Sequence, residues 1–175
     1  MSKMQARVML GICLLAISIA AFAQAMRKPG LWAMTITMTW QKSPMPPGVT
    51  LPQGMPNPFG PVTRSNDVCV TQEMIDKYGA PMPPQQPGES CTISNLATRP
   101  DGMTAEMTCT GRMSGHADIA SSWPGGDTAH GTIHFTGTMQ TGKNALPIEY
   151  TVESNSTYKS ADCGSVKPWP MPASK

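Results

Sequence analysis

The residue types best suited to metal binding fall in two neighbouring stretches of alternating polar and apolar residues. His116 and Asp118 belong to the stretch from Met103 to Ile119, and His130 and His134 belong to the next one. If both stretches are strands, His130 and His134 are about 13 Å apart, too far to share one ion. A hairpin symmetric about the intervening Pro-Gly-Gly turn places His116 opposite His134, with Cβ atoms about 5 Å apart. The sequence therefore predicts a metal site made by His116, His134 and Asp118, with water completing the coordination.

The pairing register of that hairpin decides whether the three side chains meet. Other registers place Thr132 or His130 opposite His116. The histidines are then solvated side chains on a threonine-rich face, and no site forms.

Ser114, His116 and Asp118 also have the composition of a hydrolytic triad. Neighbours on one strand face are about 6.6 Å apart, and nothing in the sequence supplies an oxyanion hole. The sequence contains no nucleophile elbow, phosphate-binding loop, dinucleotide fingerprint or His-Glu-x-x-His motif. We therefore expect a protein that is not an enzyme and needs no cofactor.

Large, flexible apolar side chains form the second group of candidate functional residues. The chain has 15 methionines, and thioethers suit Cu(I), but methionine also fills gaps in cores and lines adaptable apolar pockets. The candidate ligand-binding residues are Trp32, Met34, Met38, Trp40, Met103 and Met107. The leading hypothesis is a protein that binds a small apolar molecule or an envelope protein on this face. The alternative is a protein that binds copper or zinc.

The alternation from Met103 to Ile119 identifies the element that holds most of these candidates. Odd-numbered residues are apolar or small and even-numbered residues from 104 to 118 are polar. Because successive side chains of a strand point to opposite faces, this pattern predicts one unbroken, half-buried strand. Gly111 or Gly115 could kink it.

Similar alternation predicts the other strands at residues 32–40, 63–70, 91–98, 129–139 and 146–152. Thr71 fits the N-cap of a short helix over Gln72–Tyr78. These elements predict an all-β fold: an antiparallel meander of six or seven strands that forms a curved sheet or a barrel, with one short helix.

Four cysteines follow the first 25 residues: Cys69, Cys91, Cys109 and Cys163. An even number in an exported chain indicates two disulfides, with three possible connectivities. Folding residues 91–99 back on 103–111 about the Arg-Pro-Asp-Gly turn brings Cys91 close to Cys109. This hairpin favours Cys91–Cys109, which leaves Cys69–Cys163.

Residues 1–25 have the basic start, apolar run and small-residue end of a signal peptide. We expect residues 26–175 to be a single β domain with a Pro/Met-rich loop at 43–62 and an irregular tail at 161–175, without stable membrane insertion after cleavage. Lys3 and Arg7 account for the formal net charge of +2, so the remaining chain is neutral. That neutrality argues against nucleic acid or an anionic membrane as the partner.

Several local motifs occur together in the chain. Lys28–Trp32 opens the first strand, Cys69-Val70-Thr71 leads into the helix, Gly131–Met139 forms a later strand, and Asp162–Pro168 closes the domain. With these motifs the chain resembles the exported bacterial proteins of the domain of unknown function 3617 family. The resemblance covers most of the chain after the signal peptide and implies a periplasmic location. It implies no reaction and no catalytic residue.

Overall fold

The computed structural model describes residues 27–45, 48, 57–78 and 88–169, which form seven antiparallel strands and one α-helix. The predicted signal peptide at 1–25 and most of the predicted loop at 43–62 lie outside the described residues. The strands are β1 Gly30–Lys42, β2 Val62–Val70, β3 Glu89–Arg99, β4 Gly102–Gly111, β5 Met113–Ser122, β6 Thr128–Thr141 and β7 Asn144–Ser160. The helix α1, Gln72–Tyr78, follows β2, and a 3-10 turn at Pro124–Gly126 joins β5 to β6.

The strands form one sheet in the order β2-β1-β7-β6-β5-β4-β3. Strands β3 to β7 form a continuous meander, and β1 pairs with β7 to attach the β1–β2 pair at its far side. The sheet is curved and does not close, because β2 and β3 are its two edges. The predicted all-β fold class is therefore confirmed, in its open-sheet form.

The prediction of one unbroken strand from Met103 to Ile119 is wrong. The chain reverses at Arg112, so β4 and β5 are neighbouring strands with Cys109 opposite Gly115. Gly111 supports the reversal with a φ of 120°, a value that side chains with a Cβ atom rarely adopt. Residues that face each other across this hairpin are both odd or both even, so the polar and apolar alternation continues through the turn. Alternation alone could not reveal the reversal.

The register between β5 and β6 also differs from the predicted one. His116 lies opposite Thr136, and Asp118 lies opposite His134. The hairpin is displaced because Trp123 folds into the core at the start of the turn, where its indole N–H donates to the Pro100 carbonyl at 2.7 Å. The symmetric register, and the two alternatives to it, are therefore wrong.

The inner face of the sheet carries the core in two clusters. The first contains Trp32 and Met34 of β1 together with Met103 and Ala105 of β4, although β7, β6 and β5 separate those strands in the sheet. Such packing requires the sheet to curl around its own apolar face. The second cluster is centred on Phe135, with Cys109, Ala117 and Ile148.

Two disulfides and a helix cap agree with the sequence predictions. Cys91 lies directly opposite Cys109 and bonds to it, and Cys69 bonds to Cys163 with a Cα–Cα distance of 5.5 Å. The backbone N–H of Met74 donates to the Thr71 hydroxyl at 3.2 Å, which satisfies a free donor at the start of α1. Within the part of the chain that the structure describes, no helix is long and apolar enough to cross a membrane.

Strand β7 is longer than predicted. It continues to Ser160, through a polar stretch that alternation does not identify as strand. These residues are strand because they pair with β1: Met34 lies opposite Ser156, and Trp32 lies opposite Tyr158. The described residues after Ser160 are irregular, as predicted for the tail.

Candidate metal centre

Three potential metal ligands meet on the outer face of the β4–β5 hairpin. Glu106 lies opposite Asp118, and His116 is two residues before Asp118 on the same strand. One ligand atom from each of Glu106, His116 and Asp118 lies within 4.8 Å of the other two. The closest measured pair is His116 Nε2 and Asp118 Oδ1, at 3.7 Å. Two carboxylates and an imidazole make a ligand set that suits a divalent ion such as zinc.

A bulge in β3 positions the Glu106 carboxylate. The ladder between β3 and β4 shifts between Ser94 and Ala97, and Asn95 adopts a positive φ of 51° there. From this position the Asn95 amide donates to Glu106 Oε2 at 2.7 Å. Asparagine is among the few residues that adopt a left-handed conformation readily, so its identity explains both the bulge and the contact.

The charge of the cluster is negative and open to water. Among the described residues, neither Glu106 nor Asp118 forms an ion pair with a lysine or an arginine. The side chains of His116 and Asp118 are 50% and 74% exposed. A cation bound here would gain two carboxylate partners, and it would exchange readily with solvent.

A surface depression of about 380 Å³ adjoins the cluster. Its lining includes the bulge, two of the three cluster residues and His134: Asn95, Thr104, Ala105, Glu106, Asp118, Ile119, Ala120, Thr132 and His134. The space exceeds the volume of one water molecule, about 30 Å³, by roughly tenfold. It leaves room for water or a small polar group on the open side of an ion held by the cluster.

The structure brings together two of the three predicted metal ligands. His116 and Asp118 are neighbours, but His134 turns toward β7, where its Nε2 is 3.4 Å from Glu149 Oε1 and its Nδ1 is 3.3 Å from the Thr151 hydroxyl. Glu106 takes the third place. Sequence reasoning missed it because it treated residues 103–119 as one strand, on which Glu106 is far from His116.

The triad hypothesis finds no geometric support at Ser114. Its hydroxyl donates to the Gly111 carbonyl at 3.1 Å, within the hairpin turn. Ser114 therefore helps to hold the turn rather than to present a nucleophile to His116.

The six predicted ligand-binding residues divide into two groups. Trp32, Met34 and Met103 are buried, Trp32 completely, and belong to the first core cluster. Trp40 and Met107 are half-buried at the second cluster, and Met38 is half-buried between them along β1. The first group therefore serves the fold, and only the second remains accessible to a ligand.

Aromatic rings line the accessible end of the inner face. Trp40 packs edge-on against Phe59 and Tyr150, and Tyr150 stacks on Phe135 with a centroid distance of 5.0 Å. Burial, and secondarily the carboxylate of Glu89, raises the pKa of the Tyr150 phenol above its ordinary value. The phenol is therefore neutral at physiological pH and keeps its proton to donate.

The fold and the site together define an all-antiparallel, open-sheet protein with a disulfide at each end of the chain's β region and a cluster of metal-binding residue types on its outer face. The chain belongs to the family described as protein of unknown function (DUF3617), which matches residues 27–163. That match covers the Lys28–Trp32 motif and extends to Cys163, in agreement with the resemblance seen in the sequence. No curated protein and no solved structure matches the chain.

Proposed function

We propose that this is an exported, non-enzymatic protein that binds a zinc ion on the outer face of its sheet, through Glu106, His116 and Asp118. The observation that carries the proposal is the convergence of three ligand atoms within 4.8 Å from two neighbouring strands. Ligand atoms around tetrahedral zinc are about 3.3 Å apart. The exposed side chains of His116 and Asp118 can close that difference by rotation about their side-chain bonds.

Zinc fits this site better than copper does. The ligands are two carboxylates and one imidazole, whereas Cu(I) prefers thioethers and thiolates. The methionines of the predicted ligand-binding set, Met34, Met38, Met103 and Met107, lie on the inner face, on the opposite side of the sheet. Three protein ligands leave a fourth position for water, as in zinc sites that exchange their ligands.

A periplasmic location is part of the proposal. Two disulfides support an oxidising compartment, and the N-terminal 25 residues have the composition of a signal peptide.

Calorimetric titration with zinc tests the site. We expect Glu106→Gln, His116→Ala and Asp118→Asn each to weaken binding at least tenfold, because each removes one of three ligands. His130→Ala and His134→Ala are matched controls on the same face and should change affinity less than about twofold. Binding should also weaken as the pH falls, because protons compete with the metal for imidazole and carboxylate.

Two results would contradict this assignment. Wild-type affinity no tighter than millimolar would dismiss the site. Loss of binding in His134→Ala with full binding in Glu106→Gln would restore the ligand set predicted from the sequence.

A second candidate function is binding of a small apolar molecule or an envelope protein at the second cluster. The observation that favours it is the group of half-buried large side chains around Phe135: Trp40, Met107, Met113, Ile133, Met139 and Tyr150. We expect a hydrophobic fluorophore to bind the wild type and to bind Trp40→Ala at least fivefold more weakly. Thr39→Ala, one residue away on the outer face, is the control. Equal binding by all three proteins would exclude this end of the sheet.

A further inference from the structure

Arg27 is a buried cation just before β1. Its side chain is only 4% exposed, and its guanidinium carbon lies 4.7 Å from the centre of the Trp32 ring. The Trp32 indole N–H in turn donates to the Lys28 carbonyl at 3.0 Å, so the segment carrying Arg27 is held against the ring. This arrangement places a full charge against the first core cluster, at the opposite end of β1 from Trp40.

The Arg27 guanidinium lacks acceptors on one edge. Its Nε and Nη2 atoms are buried and have no hydrogen-bond partner among the described residues. Burial lowers the pKa of the guanidinium to about 10, which still leaves it positively charged at neutral pH. Buried charges in proteins are normally paired, because desolvation otherwise disfavours them strongly.

The acidic residue nearest along this part of the fold serves a different cation. Asp127 Oδ1 is 2.6 Å from Lys28 Nζ, and Lys28 also lies over the Tyr158 ring at 5.4 Å. Lys28 therefore has a carboxylate partner, and Arg27 forms no ion pair with any described carboxylate.

We infer that Arg27 is an anion-binding residue whose ligand is the carboxylate of a small molecule with an apolar body. The Nε–H and one Nη2–H bond of a guanidinium are parallel and match the two oxygens of a carboxylate. The cation–π contact with Trp32 leaves that edge unused, since it engages the face of the guanidinium group. The adjoining surface belongs to the first core cluster, which favours an apolar body over a fully hydrophilic one.

This site is independent of the zinc site and of the second cluster. Glu106, His116 and Asp118 occupy the outer face, whereas Trp32 faces inward. Trp32 and Trp40 are eight residues apart on β1, about 26 Å along a strand.

Nuclear magnetic resonance of the protein as the cell produces it, with dodecanoate kept below its micelle concentration, tests the inference. The Arg27 Nε–Hε resonance, assigned by its absence from Arg27→Lys, should shift on addition of dodecanoate. Acetate should require at least tenfold higher concentration, because it lacks the apolar body. Inorganic phosphate should produce no shift at the dodecanoate concentration.

Variants separate an anion site from a structural role. Arg27→Met should lose dodecanoate affinity at least tenfold, yet its unfolding midpoint without ligand should be no lower than that of the wild type, because the unpaired charge is gone. Arg27→Lys keeps the charge without the two-pronged geometry and should also bind at least tenfold more weakly. Lys28→Gln is the matched control, expected to change affinity less than twofold.

Four results would overturn the inference. They are no shift with any anion, a stronger response to phosphate than to dodecanoate, equal loss of binding in Lys28→Gln, and a lowered unfolding midpoint in ligand-free Arg27→Met. Equal affinity for acetate and dodecanoate would overturn the assignment of an apolar body.

Discussion

Two glycines allow the aromatic ring of Phe135 to lie flat on the sheet. Gly115 and Gly137 face each other across β5 and β6, on the inner face. A Cβ atom on Gly115 would lie 2.8 Å from the Phe135 ring and 2.7 Å from the Gly137 Cα, and it would also collide with the Thr136 carbonyl. The ring therefore occupies the space that two side chains would otherwise fill, as in sheets where aromatic residues cover glycines.

At this scale we predict that Gly115→Ala lowers the free energy of unfolding by about 1–3 kcal/mol, the usual range for overpacking. Urea unfolding measures it, with Thr136→Ala, an exposed substitution on the outer face, as the control. In a Phe135→Leu background the added cost of Gly115→Ala should be smaller, because the ring no longer occupies that space. Identical costs in both backgrounds would show that the ring contact is not the cause.

The β4–β5 hairpin shows which element-level information a sequence contains. Period-two alternation assigned the faces of the strands well: Met103, Ala105 and Cys109 are buried, and Glu106, His116 and Asp118 lie on the other face. The turn between β4 and β5 was invisible because the alternation continues through it. Glu106 was missed for that reason alone, and glycine at position 111 was the one available signal of the reversal.

Turn geometry limited the prediction of the second hairpin in a different way. The Pro-Gly-Gly turn was recognisable, and so was the existence of the β5–β6 hairpin. Its register depended on Trp123, whose backbone N–H and indole N–H both bond to the turn between β3 and β4, at Asp101 and Pro100. A contact between two turns that are distant in sequence leaves no local pattern, so sequence periodicity could not place His134.

The two disulfides constrain very different lengths of chain. Cys91–Cys109 closes a separation of 18 residues inside one hairpin, and Cys69–Cys163 closes a separation of 94 residues that includes five strands. In the chain-entropy description, such loops stabilise the folded state by about 3 and about 4.7 kcal/mol.

For the whole molecule we therefore predict that Cys69→Ala/Cys163→Ala lowers the free energy of unfolding by about 1.5 kcal/mol more than Cys91→Ala/Cys109→Ala does. The two double variants are matched controls for each other, because each removes one half-buried and one buried cysteine. Urea unfolding under non-reducing conditions gives both values. A larger loss from the hairpin pair would reverse the order expected from loop length.

Pairing of the first strand with the last has a kinetic consequence. Leu31 of β1 lies opposite Ser160 of β7, so the longest ladder contacts join residues near the two ends of the described chain. During synthesis from the N-terminus, β1 and β2 emerge early, and only the β1–β2 ladder can form at that end of the sheet. The meander from β3 to β7 can assemble hairpin by hairpin, but β1 must wait for the completion of β7. High contact order of this kind slows folding, and it leaves one side of β1 open to wrong strand partners until the last strand arrives.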